Sequence, residues 1–174
     1  GNEEQKYLLP ELLKGILDLK GNFKIRLGMM NPNNLIKILP EMIRIYKNKK
    51  MFKFLHIPIQ SGSNKILKLM KRKYNKEEIL KIINEFKKQI PYITISTDII
   101  AGFPGETEQD FQETLDLIKE INPVILNKSN FYPRKNTEAE KLIQLSPEKT
   151  NKRAVELSKL HLDICNKEQG KFKS

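Results

Sequence analysis

Apolar residues along this chain recur now at helical and now at extended spacing, and read in order they predict alternating helices and strands. Leu9, Leu12, Leu13, Ile16 and Leu17 follow the 3.6-residue period over residues 8–19, and Gly21 ends that helix. Residues 23–29 are predicted as a first strand. The turn Asn31-Pro32-Asn33 follows, then a helical stretch in which Pro40 opens a second segment to about Lys47. A second strand is predicted over residues 52–58. Ser63 is expected to cap a short helix carrying Ile66, Leu67 and Met70. Asn75 opens another, with Glu78 as capping-box partner and an apolar face of Ile79, Ile82, Ile83 and Phe86. A third strand spans residues 92–101, and Thr107-Glu108-Gln109-Asp110 begins a helix bearing Phe111, Leu115 and Ile118. The fourth strand covers residues 124–131, and Ser146-Pro147 starts a closing helix to about Gln169.

The strands begin near residues 23, 52, 92 and 124, at separations of 29, 40 and 32. This matches the ~30 residues of one βα unit and predicts an α/β fold with four consecutive parallel strands. Such a sheet is either open and doubly wound or curved into part of a TIM-type (βα) barrel, which four strands cannot close. In the third strand Thr94, Ser96 and Asp98 share one face, opposite Ile93, Ile95, Thr97 and Ile99. A polar face on a central strand is expected to line a cavity. Chemistry in βα folds gathers beyond the carboxyl ends of the strands. Here those ends are the segments 28–32, 56–63, 98–106 and 130–134.

Charge sharpens the picture. Residues 1–100 hold 20 Lys or Arg against 9 Asp or Glu, whereas residues 101–174 hold 12 of each, so the first part carries the whole net charge of +11. That balance points equally to a polyanion partner and to a solvated lysine surface, because 27 of the 32 basic residues are Lys. No apolar stretch is long enough for a bilayer span, and a cytoplasmic protein without membrane contact is the simplest expectation. Cys165 is the single cysteine, which excludes an internal disulfide and a cysteine-ligated cluster built from this chain alone. Phosphate-binding loops of the Gly-x4-Gly-Lys and Gly-x-Gly-x2-Gly types are missing.

Four segments stand out: His56-Ile-Pro-Ile-Gln-Ser-Gly-Ser63, Lys68-Leu-Met-Lys-Arg-Lys-Tyr74, Thr97-Asp-Ile-Ile-Ala-Gly-Phe-Pro-Gly-Glu-Thr107 and Phe131-Tyr-Pro-Arg134. In this order they resemble the signatures of the radical S-adenosylmethionine methylthiotransferase family. Within it, residues 25–32 are most similar to the branch acting on N6-threonylcarbamoyladenosine at tRNA position 37. The resemblance implies a six-stranded partial barrel with S-adenosylmethionine and a 4Fe-4S cluster at its top, a second cluster, and a methylthio group added to C2 of the adenine. The partners it implies are tRNA and a sulfur donor. It also implies that residues 1–174 are the C-terminal part of the barrel domain, holding the last four of its strands. The N-terminal cluster-binding domain, the first two strands and the C-terminal RNA-binding domain are then absent, and the chain alone is inactive. Truncation before the third strand predicts self-association or local disorder around residues 1–20. The alternatives are a noncatalytic RNA-binding module and the ribosomal-protein or isopentenyladenosine branch.

By the same resemblance Gln60 and Ser61 contact the cofactor, unless they only brace the Gly62 turn. Asp98 and Arg26 enter the barrel as cofactor contacts or as an internal pair. Ile99 or Ile100, together with Phe131, offers apolar contact to the adenosyl group. Lys71, Arg72 and Lys73, with Tyr132 and Arg134, are the candidate tRNA contacts, the alternative for the basic run being a solvated helix face. Lys135 and Asn136 replace the Pro and Gly of the family's Tyr-Pro-Arg-Pro-Gly-Thr pattern. His161 and Cys165 are expected to be a packed structural pair.

Overall fold

The computed structural model, which describes residues 8–171, turns most of each apolar stripe towards a common core. In chain order the helices and strands are α1 (Leu9–Asp18), α2 (Pro32–Leu35), α3 (Leu39–Tyr46), β1 (Phe54–His56), α4 (Asn64–Leu69), α5 (Lys76–Gln89), β2 (Thr94–Ala101), α6 (Glu108–Ile121), β3 (Ile125–Asn130) and α7 (Pro147–Lys171), with 3-10 turns at Ile36–Ile38 and Glu138–Lys141. The strands form one parallel sheet in the order β1-β2-β3. Leu55, Ile95 and Ile99 are buried with Met42, Ile43 and Tyr46 of α3, Ile79, Ile82, Ile83 and Phe86 of α5, and Phe111, Leu115 and Ile118 of α6. The predicted capping box of Asn75 with Glu78 forms, and Thr107, where a helix start was expected, makes another with Asp110. Each satisfies amides that an α-helix leaves unpaired at its start.

The sheet has three strands where four were expected. The segment 23–29 does run parallel to β1, but it pairs only at Ile25↔Met51 and Met29↔His56. Between those bridges it advances four residues while the facing segment advances five, so a bulge breaks the ladder. Backbone bonds survive at its two ends, Ile25 N to Lys50 O (2.7 Å) and Met30 N to His56 O (2.9 Å). The second strand is also shorter than expected. Pro58 lacks an amide hydrogen, and after His56↔Ser96 the register slips by one residue to Gln60↔Ile99.

Of the disorder expected around residues 1–20, residues 1–7 lie outside the described residues. From Leu9 onward α1 is a regular helix, and Leu13 and Leu17 are buried in the common core with α3. Three of the lysines have a structural use at the amino ends of the strands. Lys50 Nζ donates to Leu17 O and Leu19 O at the end of α1, Lys53 Nζ donates to Tyr46 O and Asn48 O beyond α3, and Lys87 Nζ donates to Ile121 O of α6. Cations there satisfy orphan carbonyls and oppose the negative ends of the helix dipoles. No helix among the described residues is long and apolar enough to cross a membrane.

Candidate functional site

The register slip at Pro58 shapes the carboxyl end of the sheet. Gln60 adopts φ 73°, a left-handed conformation that costs a non-glycine residue free energy and that is found preferentially at functional positions. It is held there by two β2 contacts, Gln60 N to Asp98 O (2.8 Å) and Ile100 N to Gln60 O (3.0 Å). Gln60 is buried, yet its carboxamide meets no hydrogen-bond partner among the described residues.

One strand further in, Asp98 ties all three strands together. Its Oδ2 lies 3.0 Å from His56 Nε2 on β1, and its Oδ1 accepts from Asn127 Nδ2 on β3 at 2.9 Å. Asn127 was not anticipated, although the alternation of β3 places it in register with Asp98. The expected internal pair of Asp98 with Arg26 does not form. The Arg26 guanidinium lies over the Phe54 ring, 4.0 Å from its centroid, beside the Phe54↔Thr94 pair. That is five residues, ~16 Å at strand rise, below Gln60↔Ile99, so Arg26 is not at the rim.

Beyond the strand ends, Arg72, Ile100, Ser129, Phe131, Tyr132 and Arg134 line a cleft of about 470 Å3. The basic run is divided by this arrangement. Lys71, at φ 56° just past α4, and Lys73 are exposed, whereas Arg72 is half-buried and lines the cleft, its Nε buried with no partner among the described residues. Ring packing between Phe103 and Phe131, edge-to-face at 4.9 Å, joins the loop after β2 to the end of β3. That loop is clasped from below by α7. Arg153, 2% exposed, donates to Glu106 Oε2 (2.5 Å), Glu106 O (3.2 Å) and Glu108 Oε2 (3.1 Å), and Glu106 Oε2 accepts from Gly102 N (3.1 Å). Gly102 has φ 75°, and a Cβ there would lie 2.4 Å from Thr150 Oγ1 on α7. Arg153 escaped the sequence reading. The signal was present, because Arg153 continues the helical stripe of Leu157, Leu160 and Ile164.

Of two serines, Ser61 takes the alternative of the two places expected for it and Ser63 takes another than expected. Ser61 is fully buried, its hydroxyl 3.3 Å from Thr114 Oγ1 and accepting from Ser63 N at 3.2 Å, so it braces the turn beneath α6 and does not face the cleft. Ser63 occupies the position before α4 but makes no cap; its Oγ donates to Asp110 Oδ1 at 2.7 Å. Asp110 also accepts from Thr107 N, Thr107 Oγ1 and Lys65 Nζ, which removes Lys65 from the free basic face. Burial alone would raise the Asp110 carboxyl, but the hydrogen bonds from Lys65, Thr107 and Ser63 hold it far below the usual carboxylate range. The stability it contributes is therefore present above the unfolded value near 3.9 and drains away as pH falls below it. Asp110→Ala is expected to cost about 2–3 kcal/mol near neutral pH in urea unfolding. The difference from the parent should narrow steadily below pH ~4; a deficit constant down to strongly acid pH would contradict this. His161 and Cys165 pair as expected, Sγ to Nε2 at 3.6 Å, with Nε2 also 3.1 Å from Pro123 O.

The structure thus gathers Gln60, Asp98, Ile100, Phe131, Tyr132, Arg134 and Arg72 at one end of the sheet and leaves Arg26 and Ser61 away from it. The chain matches the family model of the radical SAM superfamily over residues 4–118. It is 44% identical over 156 residues to the probable threonylcarbamoyladenosine tRNA methylthiotransferase of Pyrococcus horikoshii, covering 90% of this chain and 37% of that protein. The counterpart of the same name from Methanocaldococcus jannaschii is 43% identical over 156 residues, covering 90% and 36%. The human threonylcarbamoyladenosine tRNA methylthiotransferase is 40% identical over 153 residues, covering 87% and 26%. The chain therefore spans between about a quarter and just over a third of the length of these curated relatives. In three dimensions it is similar to coproporphyrinogen III oxidase from Escherichia coli, with a TM-score of 0.67, 20% identity and coverage of 90% of this chain and 36% of that one, a likeness of fold. With the family model matching well over half of its residues, and a parallel sheet of the same fold, the chain belongs to the radical SAM superfamily.

Proposed function

We propose that this chain is the cofactor- and nucleoside-facing part of a cytoplasmic radical SAM methylthiotransferase that adds a methylthio group to C2 of N6-threonylcarbamoyladenosine at tRNA position 37. The observation that carries the reading is 40–44% identity, over at least 153 residues, to relatives named for that activity in archaea and human.

The rim has a donor set suited to S-adenosylmethionine. Its cleft of about 470 Å3 lies within the ~300–1,000 Å3 range of small-molecule sites. The guanidinium groups of Arg72 and Arg134, which line the cleft, favour a carboxylate, Ile100 and Phe131 supply apolar walls for adenine, and Gln60 and Asp98 at the adjoining strand ends offer polar groups to amino and hydroxyl groups. S-adenosylmethionine bound there supplies the adenosyl group for radical chemistry and, from a second molecule, the methyl group. The iron-sulfur clusters do not fit this chain. Cys165 is the single cysteine, and no trio of His, Cys, Asp or Glu suited to a metal occurs among the described residues. Cluster ligands therefore come from the rest of the enzyme, and this chain alone is inactive. The exposed Leu12, Leu19 and Met29 near the sparsely paired segment 23–29 favour self-association of the isolated chain.

The test is anaerobic reconstitution of the complete enzyme with iron, sulfide and S-adenosylmethionine, followed by mass analysis of nucleosides from tRNA bearing the threonylcarbamoyl group. A methylthio gain on that nucleoside is expected. Modification of isopentenyladenosine or of a ribosomal protein instead, or RNA binding without any product, would overturn the assignment. On the tRNA side, replacing both Lys71 and Lys73 with Ala is expected to weaken RNA binding and reduce the salt slope by up to about 2. Cofactor affinity should be unchanged. Arg72→Leu should do the reverse, lowering cofactor affinity first, which titration of the two ligands separately resolves.

A further inference from the structure

A second cleft, of about 300 Å3, opens on the other side of Phe131 and Tyr132. Its walls come from the loop after β2 (Gly102), the segment after β3 (Pro133, Leu145) and the start of α7 (Pro147, Asn151). Tyr132 borders both clefts and is 75% exposed, so its ring face is available for stacking. Asn130 Nδ2 donates to Asn151 Oδ1 at 2.7 Å. This bond consumes one donor and one acceptor of the two amides and leaves the carbonyl of Asn130 and the amino group of Asn151. One acceptor and one donor group remain on the pair whichever way the two amides are turned. Such a pair complements the edge of a nucleobase, as single Asn and Gln side chains do when they bond an adenine through two contacts.

We propose that this second cleft is a subsite for the unpaired base of the nucleotide next to the modified adenosine, an inference that rests on the tRNA reading above. Proteins recognise single-stranded RNA by splaying out bases, stacking them on aromatic rings and bonding their edges. Here Phe131 and Tyr132, which line both clefts, set the second cleft beside the cofactor cleft, where the adenosine has to come to react. The charge pattern suits a base more than a phosphate. Residues 101–174, which line the second cleft, carry 12 basic and 12 acidic residues, while the exposed Lys71 and Lys73 lie in the basic part of the chain. Phosphate contacts position an RNA, and contacts to base edges read it.

The experiment uses the complete enzyme and an anticodon stem-loop RNA carrying N6-threonylcarbamoyladenosine, with fluorescence anisotropy as the readout of RNA affinity. Removing the neighbouring base on one side, by an abasic nucleotide, should weaken binding to the parent enzyme roughly tenfold, the scale of one lost stacking contact. Asn151→Leu should show a similar loss on the intact RNA and no additional loss on the abasic one. Asn151→Asp, which keeps the shape and removes the free donor, should lose affinity in the same RNA-dependent way. Additive losses, or no loss from either variant, would overturn the subsite. So would a parallel fall in S-adenosylmethionine affinity, because it would place the damage at the rim. Product analysis on the same RNA separates the two readings: methylthiolated product with additive binding losses removes the subsite alone, whereas no methylthiolated product removes the tRNA reading and the subsite with it.

Discussion

Gly62→Ala is expected to destabilise the chain by about 3 kcal/mol or more, measured as the shift in urea unfolding. The turn after β1 crosses directly over α6, with Gly62 N donating to Thr114 Oγ1 at 2.9 Å. A Cβ on Gly62 would lie 2.5 Å from Glu113 O, 2.6 Å from Thr114 Cα and 2.8 Å from Glu113 C. All three are backbone atoms of a helix, so relief requires moving α6 or the turn, and no side-chain rotation provides it. Moving the turn also moves Gln60, two residues away at the rim. Gly28→Ala is the matched control, since nothing lies within 4 Å of a Cβ there. It should be within ~0.5 kcal/mol of the parent. Equal effects at the two glycines would contradict the close approach.

The second large effect is expected at Arg153. Arg153→Met removes the charge facing Glu106, whose side chain is 1% exposed, and leaves a buried carboxylate without its cation. Breaking such a pair typically costs ~3–5 kcal/mol, whereas replacing both partners by uncharged groups is often close to neutral. The double variant Arg153→Met/Glu106→Gln should therefore recover most of the loss while retaining an acceptor for Gly102 N. The pH dependence has a definite sign. Burial pushes the Glu106 carboxyl up, against the pull of Arg153. Without Arg153 the folded chain holds the proton more tightly than the unfolded one, so the deficit of the single variant should shrink as pH falls towards ~4 and grow above it. A double variant no more stable than the single one would show that the clasp works by packing alone.

What was legible in the sequence was local. Helical stripes, the Asn75 and Thr107 caps and the order of the motifs depend on residues a few positions apart, and they survive folding unchanged. What was not legible depends on pairing between distant segments. The fourth strand is reduced to two bridges because a single extra residue opposite 25–29 breaks its ladder, and periodicity does not report register. Ser63 has the sequence position of a cap, but the Asp110 carboxylate, 47 residues away, is the stronger acceptor for its hydroxyl. Ser61 and Arg26 carry suitable chemistry in suitable motifs, yet one is turned under α6 and the other stacks on Phe54 well below the rim. Arg72 sits within a run of exposed lysines and is set apart by the cleft it lines.

The central claim is that the carboxyl ends of the parallel strands form the cofactor site. Hydrogen exchange on the complete protein, with and without saturating S-adenosylmethionine, tests it most directly. Slowed exchange is expected in peptides spanning residues 57–63, 98–103 and 130–134, with residues 47–53 at the opposite end of the sheet unaffected. Protection concentrated at residues 47–53, or binding that leaves all three rim segments unchanged, would contradict it.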